Sequence, residues 1–140
     1  MIKNAFTLEQ LNGLSKNTLV GHLGIEITEL TDDYIKATMP VDERTVQPMG
    51  LLHGGASVVL AETLGSLGAT TKVDISKQYC VGLDINANHI KSARSGLVEG
   101  IAKPIHIGKK TQVWEINITN EAKELVCVSR ITMAVIDIKK

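Results

Sequence analysis

Between Arg44 and Lys72 the chain carries one formal charge, Glu62, inside the apolar, small-residue stretch Ala56-Ser57-Val58-Val59-Leu60-Ala61-Glu62-Thr63-Leu64-Gly65-Ser66-Leu67. An ionised carboxylate in such surroundings costs several kcal/mol of desolvation unless it is paired, or else its pKa rises. A carboxylate pushed toward neutrality is a better general base than a solvated one, which makes Glu62 the first candidate for chemistry. The competing assignment is a position on the solvent stripe of a helix.

The residues ahead of this stretch favour chemistry. Gln47-Pro48-Met49-Gly50-Leu51-Leu52-His53-Gly54-Gly55 supplies a polar amide, a turn, a histidine and two glycines that lead into the helix. Glycines at a helix start leave the unpaired N–H groups of the first turn open to a ligand oxygen, so Gly54 is a candidate oxyanion donor. Loss of one such donor in other enzymes costs roughly 3 to 4 kcal/mol. A simple hinge is the alternative for the glycines, and an N-cap or packing role the alternative for His53.

Spacing adds a constraint. Gly54 and Glu62 are eight positions apart, about 12 Å along a helix axis. One small thioester or ester carbonyl cannot touch both. If both serve one reaction, the donors of one copy must meet the carboxylate of another, which predicts a symmetric dimer with antiparallel central helices. The small residues Ala61, Gly65, Ser66, Gly68 and Ala69 permit close approach.

The elements that must position these groups follow from length and patterning. At 140 residues the chain suits one domain, 1–140, with a real core. Thr7-Leu8-Glu9-Gln10 is a capping-box pattern that predicts a helix from about 8 to 15, followed by a helical turn over 18–23. Strand patterns cover 24–30 and 34–41, joined by Thr31-Asp32-Asp33. The long helix ends near 70–72, and four more strands cover about 79–90, 97–107, 111–119 and 124–138. With no crossover helices, a parallel doubly wound sheet is excluded. The remaining fold class is α+β, an antiparallel sheet wrapped around one long, almost wholly apolar helix.

Fifteen basic and fifteen acidic side chains cancel, so nothing in the bulk charge favours nucleic acid or an anionic membrane. Local basic clusters, Lys91 with Arg94 and Lys103 with Lys109 and Lys110, suit a small phosphorylated polyanion or else ordinary solvated surface. Cys80 and Cys127 lie in strand-like runs without metal-ligand spacing and read as buried free thiols, the alternative being a strand-to-strand pair, in a reducing compartment. His22, His53, His89 and His106 are dispersed, with no HExxH, so no metal is expected. Without a signal segment or an apolar run of about 20 residues, a soluble cytoplasmic protein is expected.

At this point the residues resemble a known family, the hotdog-fold acyl-CoA thioesterases of the phenylacetate-degradation and 4-hydroxybenzoyl-CoA type. The resemblance runs from Leu23-Gly24-Ile25 through Met39-Pro40-Val41, the 47–56 segment and Ala61-Glu62-Thr63-Leu64-Gly65-Ser66 to Asn86-Ala87-Asn88-His89 and Gln112-Val113-Trp114-Glu115-Ile116. It is strongest toward 1,4-dihydroxy-2-naphthoyl-CoA hydrolases and enterobactin-proofreading thioesterases. The resemblance implies a hotdog fold that hydrolyses aryl- and alkyl-CoA with no cofactor beyond the CoA of the substrate. It implies a homodimer with composite sites, paired into a dimer of dimers.

Carried over by position, Glu62 matches the catalytic nucleophile or general base, Gln47 the orienting amide and Gly54 the N–H that polarises the thioester carbonyl. His53 and Ser66 match supporting positions. Gly82, His89, Ile90, Lys91 and Ser92 match substrate and CoA contacts, as do His106, Ile107, Gly108, Lys109, Lys110 and Thr111. Members often carry His-Arg-Pro where this chain has Ile90-Lys91-Ser92, so Lys91 would meet a phosphate as a point charge and not through a bidentate fork. Two other readings are a hotdog hydratase or dehydratase, using His53 with Glu62 for proton abstraction, and a non-catalytic acyl-CoA binding module.

Overall fold

The computed structural model of the chain describes residues 5–139. Its elements are α1 (Leu8–Gly13), α2 (Leu19–His22), β1 (Glu26–Leu30), β2 (Ile35–Pro40), α3 (Gly54–Thr71), β3 (Gln78–His89), β4 (Leu97–Ile107), β5 (Thr111–Thr119) and β6 (Leu125–Asp137). The six strands form one antiparallel sheet in the order β1-β2-β4-β5-β6-β3. The expected α+β architecture is the one observed. Sequence patterning did not foretell that β3 returns to the far edge beyond β6, which makes a twelve-residue edge strand.

The capping box forms as expected. Thr7 Oγ1 accepts from the Gln10 N–H at 3.0 Å, and Gln10 Oε1 accepts from the Thr7 N–H at 3.0 Å. α1 is then fastened to the opposite sheet edge by Asn12, whose Oδ1 accepts from the Ile27 N–H at 2.7 Å and whose Nδ2 donates to the Ile27 carbonyl at 3.0 Å. Ile27 lies beside a register irregularity in the β1–β2 pairing, and the amide completes backbone bonding there as another strand would.

α3 lies in the hollow of the sheet. Its Leu60 and Leu64 are fully buried together with Ile35, Met39, Val98, Trp114, Ile116 and Met133. The helix approaches closely because glycine lines the contact. A Cβ at Gly65 would lie 2.5 Å from Ile131 Cγ2, and one at Gly68 2.7 Å from Trp114 Cζ3. Gly100 of β4 does the same for the helix, since a Cβ there would lie 2.6 Å from Leu64 Cδ1. The indole is held in place. Trp114 Nε1 donates to Gln112 Oε1 at 2.9 Å, and Gln112 Nε2 donates to the Ala69 carbonyl at 3.3 Å near the end of α3.

This packing generates a stability prediction. Gly68→Ala gains about 1 kcal/mol of helix propensity but must displace a hydrogen-bonded, buried ring, which costs about 1–3 kcal/mol. A net loss is expected by urea denaturation. Gly13→Ala is the control, because nothing lies within 4 Å of its Cβ position, and it should stabilise by about 0.5–1 kcal/mol. Equal gains at both positions would show that the indole yields freely.

Candidate active site

α3 begins on a tightly bonded loop. The His53 N–H donates to the Thr45 carbonyl at 2.8 Å, Leu52 N–H to Ala93 at 2.8 Å, and Gln47 N–H to Leu51 at 2.8 Å. Thr45 is buried and its hydroxyl donates to the Pro40 carbonyl at 2.7 Å, tying the loop to the end of β2. Gly50, at φ +80°, makes the turn that brings Gln47 back toward the helix. The Gln47 side-chain oxygen accepts from the Met49 N–H within that turn.

His53 is the N-cap of α3, its Nδ1 accepting from the Gly55 N–H at 2.8 Å. That cap takes up one of the two glycine amides. The Gly54 N–H has no hydrogen-bond partner among the described residues and is the donor left for a ligand oxygen. The glycines also make room for imidazoles. A Cβ at Gly55 would lie 2.9 Å from His53 Nδ1, and one at Gly54 2.7 Å from His89 Nε2.

Gln47, Gly54, His89, Ile90, Lys91 and Ser92 share the wall of one pocket of about 310 Å³. Lys91 is already paired there, its Nζ 2.9 Å from a Glu124 oxygen. The Lys91 hydrogen bond, helped by Asn120, holds the Glu124 carboxyl below the usual carboxylate range.

Glu62 lies elsewhere. It is exposed in the single chain, so the desolvation inferred from its isolation in sequence is not incurred within one protomer. The cause is helical geometry: two residues beyond Leu60 is about 200° around the axis, so with Leu60 and Leu64 buried against β4, Glu62 and Ser66 lie off that contact, on the flank of the helix beside β3 and β6. Both line a second pocket, of about 340 Å³, with Leu11, Leu14 and Val20 from the N-terminal segment and Leu67 from α3. Gly82 of β3 is next to Glu62, where a Cβ would lie 3.2 Å from Oε2. Ser66 Oγ is 3.9 Å from Met133 Sδ.

The β4–β5 turn forms a third group. Ile107, Gly108, Lys109 and Lys110 line an open pocket of about 950 Å³, with His106 and Thr111 flanking them in sequence and the Gly108 N–H donating to the Thr111 carbonyl at 2.8 Å. On β6, His89 pairs with Cys127 and Thr111 with Ala134, a separation of seven residues or about 23 Å. One chain therefore does not unite the two basic segments, nor either pocket wall with the other.

Sequence reasoning missed several lining residues. Lys72, taken only as the end of the helix, is buried and its Nζ donates to the Asp32 carbonyl in the pocket that also holds Gln78 and Lys139. The N-terminal wall beside Glu62 was missed because nothing in local spacing ties residues 11–20 to residue 62.

Other chemistries find less support. Burial pushes both free thiols, Cys80 and Cys127, up and away from the thiolate a nucleophile needs. Among the described residues no three His, Cys, Asp or Glu side chains converge as a metal-ligand set, and no helix is long and apolar enough to cross a membrane.

Residues 49–127 match the family model of the Thioesterase superfamily. The chain is 51% identical to the 1,4-dihydroxy-2-naphthoyl-CoA hydrolase of Escherichia coli, over 96% of this chain and 98% of that protein. It is 52% identical to the proofreading thioesterase EntH of Cronobacter turicensis, over 95% and 96% respectively. Its fold superposes on the crystal structure of a thioesterase from Haemophilus influenzae with a TM-score of 0.96 at 52% identity, covering 99% of this chain and 96% of the other.

Proposed function

The chain belongs to the thioesterase superfamily and is a thioester hydrolase, and from that premise we propose that it hydrolyses acyl-CoA thioesters at a site shared between two copies. The observation that carries the reading is the separation of two chemically distinct groups along α3. The Gly54 N–H, without a partner among the described residues, and the Gln47 amide flank one pocket, while Glu62, about 12 Å further along the helix, faces another.

Two copies joined through their β3 edges would bring the Glu62 of one toward the Gly54 end of the other. β3 supports this. Its Tyr79, Val81 and Leu83 alternate along an outer strand and are 49%, 42% and 62% exposed, an unprotected apolar edge that soluble proteins seldom leave bare. Pairing of such dimers into tetramers belongs to the same proposal.

In this mechanism the thioester carbonyl oxygen accepts from the Gly54 N–H, at the positive end of α3, as negative charge develops on it. Glu62 either takes a proton from a water that adds to the carbonyl carbon, or adds itself to form an acyl-enzyme anhydride that water then cleaves. In both routes the C–S bond breaks and CoA leaves as the thiolate. It takes up the proton that Glu62 removed from water in the first route and a solvent proton in the second, where hydrolysis of the anhydride returns one. Gln47 orients the water or the reacting group. His53 keeps the first turn of α3 fixed through its cap, and Ser66, one turn beyond Glu62, steadies the carboxylate.

The CoA phosphates would lie between His89–Ser92 of one copy and His106–Thr111 of the other, with Lys91, Lys109 and Lys110 supplying charge. The aryl substrate of the Escherichia coli relative and simple alkyl-CoA thioesters are both within reach of an aliphatic pocket, which discriminates among acyl groups by only about 1–3 kcal/mol per methylene. A hydratase-type pairing of His53 with Glu62 is disfavoured, because Nδ1 of His53 is occupied by its cap and the two residues lie about 13 Å apart along the chain axis of α3.

Thiol release from a panel of aryl- and alkyl-CoA thioesters tests the reading, with enoyl-CoA hydration as the rival result. Glu62→Ala should lower kcat by about a thousandfold or more while leaving the unfolding transition unchanged, since the side chain is exposed in the single chain. Activity within about tenfold of the parent would contradict the role of Glu62. Lys109→Ala should raise KM for acyl-CoA far more than for the matching acyl-pantetheine, and the difference should shrink with added salt. Equal losses on both substrates would make Lys109 a structural residue.

A further inference from the structure

The pocket beside Glu62 has α3 on one side and the α1–α2 segment on the other. That segment lies outside residues 49–127, where the family model matches. We propose that it is an acyl-length gauge: the pocket it closes takes the aliphatic tail of the acyl group, and Leu14 at its rim sets the chain length beyond which binding stops improving. The proposal rests on the reading of Glu62 as the residue at the reacting carbon.

The lining specifies the occupant. Leu11, 2% exposed, is the floor, and Leu14, 64% exposed, is the rim where wall gives way to solvent. Both threonine hydroxyls that line the pocket are spent on backbone. Thr63 Oγ1 donates to the Val59 carbonyl at 2.6 Å and Thr18 Oγ1 to the Ser15 carbonyl at 2.6 Å. What these threonines offer the cavity is therefore methyl surface. Among the described residues no aromatic ring lines the pocket to stack on a flat ligand, and the one charged group is the carboxylate expected at the thioester end. At about 340 Å³ it falls at the small end of ligand pockets.

The wall is also anchored, as a gauge must be. Asn12 holds α1 to β1 through both backbone groups of Ile27, and the Ile25 N–H donates to the Val20 carbonyl at 3.1 Å to hold the end of α2. A tail entering from Glu62 meets side chains whose backbone is fixed to the sheet edge. Length discrimination then depends on side-chain volume at the rim.

Non-hydrolysable S-alkyl-CoA thioethers of increasing length, titrated calorimetrically into the parent, Leu14→Ala and Leu14→Trp, test the gauge. The parent should gain about fourfold in affinity per methylene until a plateau. Leu14→Trp should bring the plateau at least two methylenes earlier and Leu14→Ala should delay it, with S-ethyl-CoA binding all three within about twofold. The kcat/KM values for the matching acyl-CoA esters should follow the same order. If Leu14→Trp fails to fold, Thr18→Trp, a second exposed residue of the same rim, should give the same shortening.

A plateau at one length in all variants, an equal shift for every ligand, or no dependence on length would overturn the proposal. A parent that releases no thiol from any acyl-CoA would instead defeat the hydrolase reading, while the thioether series would still decide the role of the wall.

Discussion

The structure depends on one continuous helix that carries both groups of the proposed reaction, Gly54 at its start and Glu62 further along. At about 1.5 Å per residue, the eight positions from Gly54 to Glu62 fix a distance that no side-chain rotation closes. The rest of the fold serves to hold that rod at one depth and one rotation. Gly65 and Gly68 let it sink onto Ile131 and Trp114, and Gly100 lets β4 accept Leu64. With Leu60 and Leu64 fully buried, the angle of the helix about its axis is set, and with it the position of Glu62 and Ser66 on the flank beside β3 and β6.

The same constraint connects packing to association. Glu62 stays exposed within one protomer, and the Gly54 amide lies in a separate pocket. The long β3 edge lies beside Glu62 at Gly82, so the surface most in need of covering and the residue most in need of a partner are neighbours. In the proposed dimer one event satisfies both, and desolvation of Glu62 follows from assembly and not from folding. In the same proposal the basic segments at opposite ends of β6 would each supply half of a phosphate site.

Local physics made much of this legible in advance. The capping box at Thr7, the turn at Thr31 and the absence of crossover helices depend on neighbours in sequence, and each is where the residues predict it. The distance between Gly54 and Glu62 was equally readable, because helical rise does not depend on context. Long-range consequences were not. The sheet order that sends β3 to an outer edge, the imidazoles of His53 and His89 lying where Gly55 and Gly54 lack a Cβ, and the N-terminal wall beside Glu62 all arise from residues far apart in the chain. The isolation of Glu62 among apolar residues suggested burial within the chain. Its angle relative to Leu60 and Leu64 shows that a helix buried on one side still has another.

The central claim is that catalytic groups from two copies complete each site. Gln47→Ala and Glu62→Ala chains, each inactive alone, can be unfolded together, refolded in equal amounts and assayed for thiol release, with subunit mixing checked by mass spectrometry. About half of the dimers would be mixed, and each would collect both defects in one site and none in the other, so about a quarter of parental activity should return. A fully mixed sample as inactive as its two components would contradict the shared site and return the chemistry to a single chain.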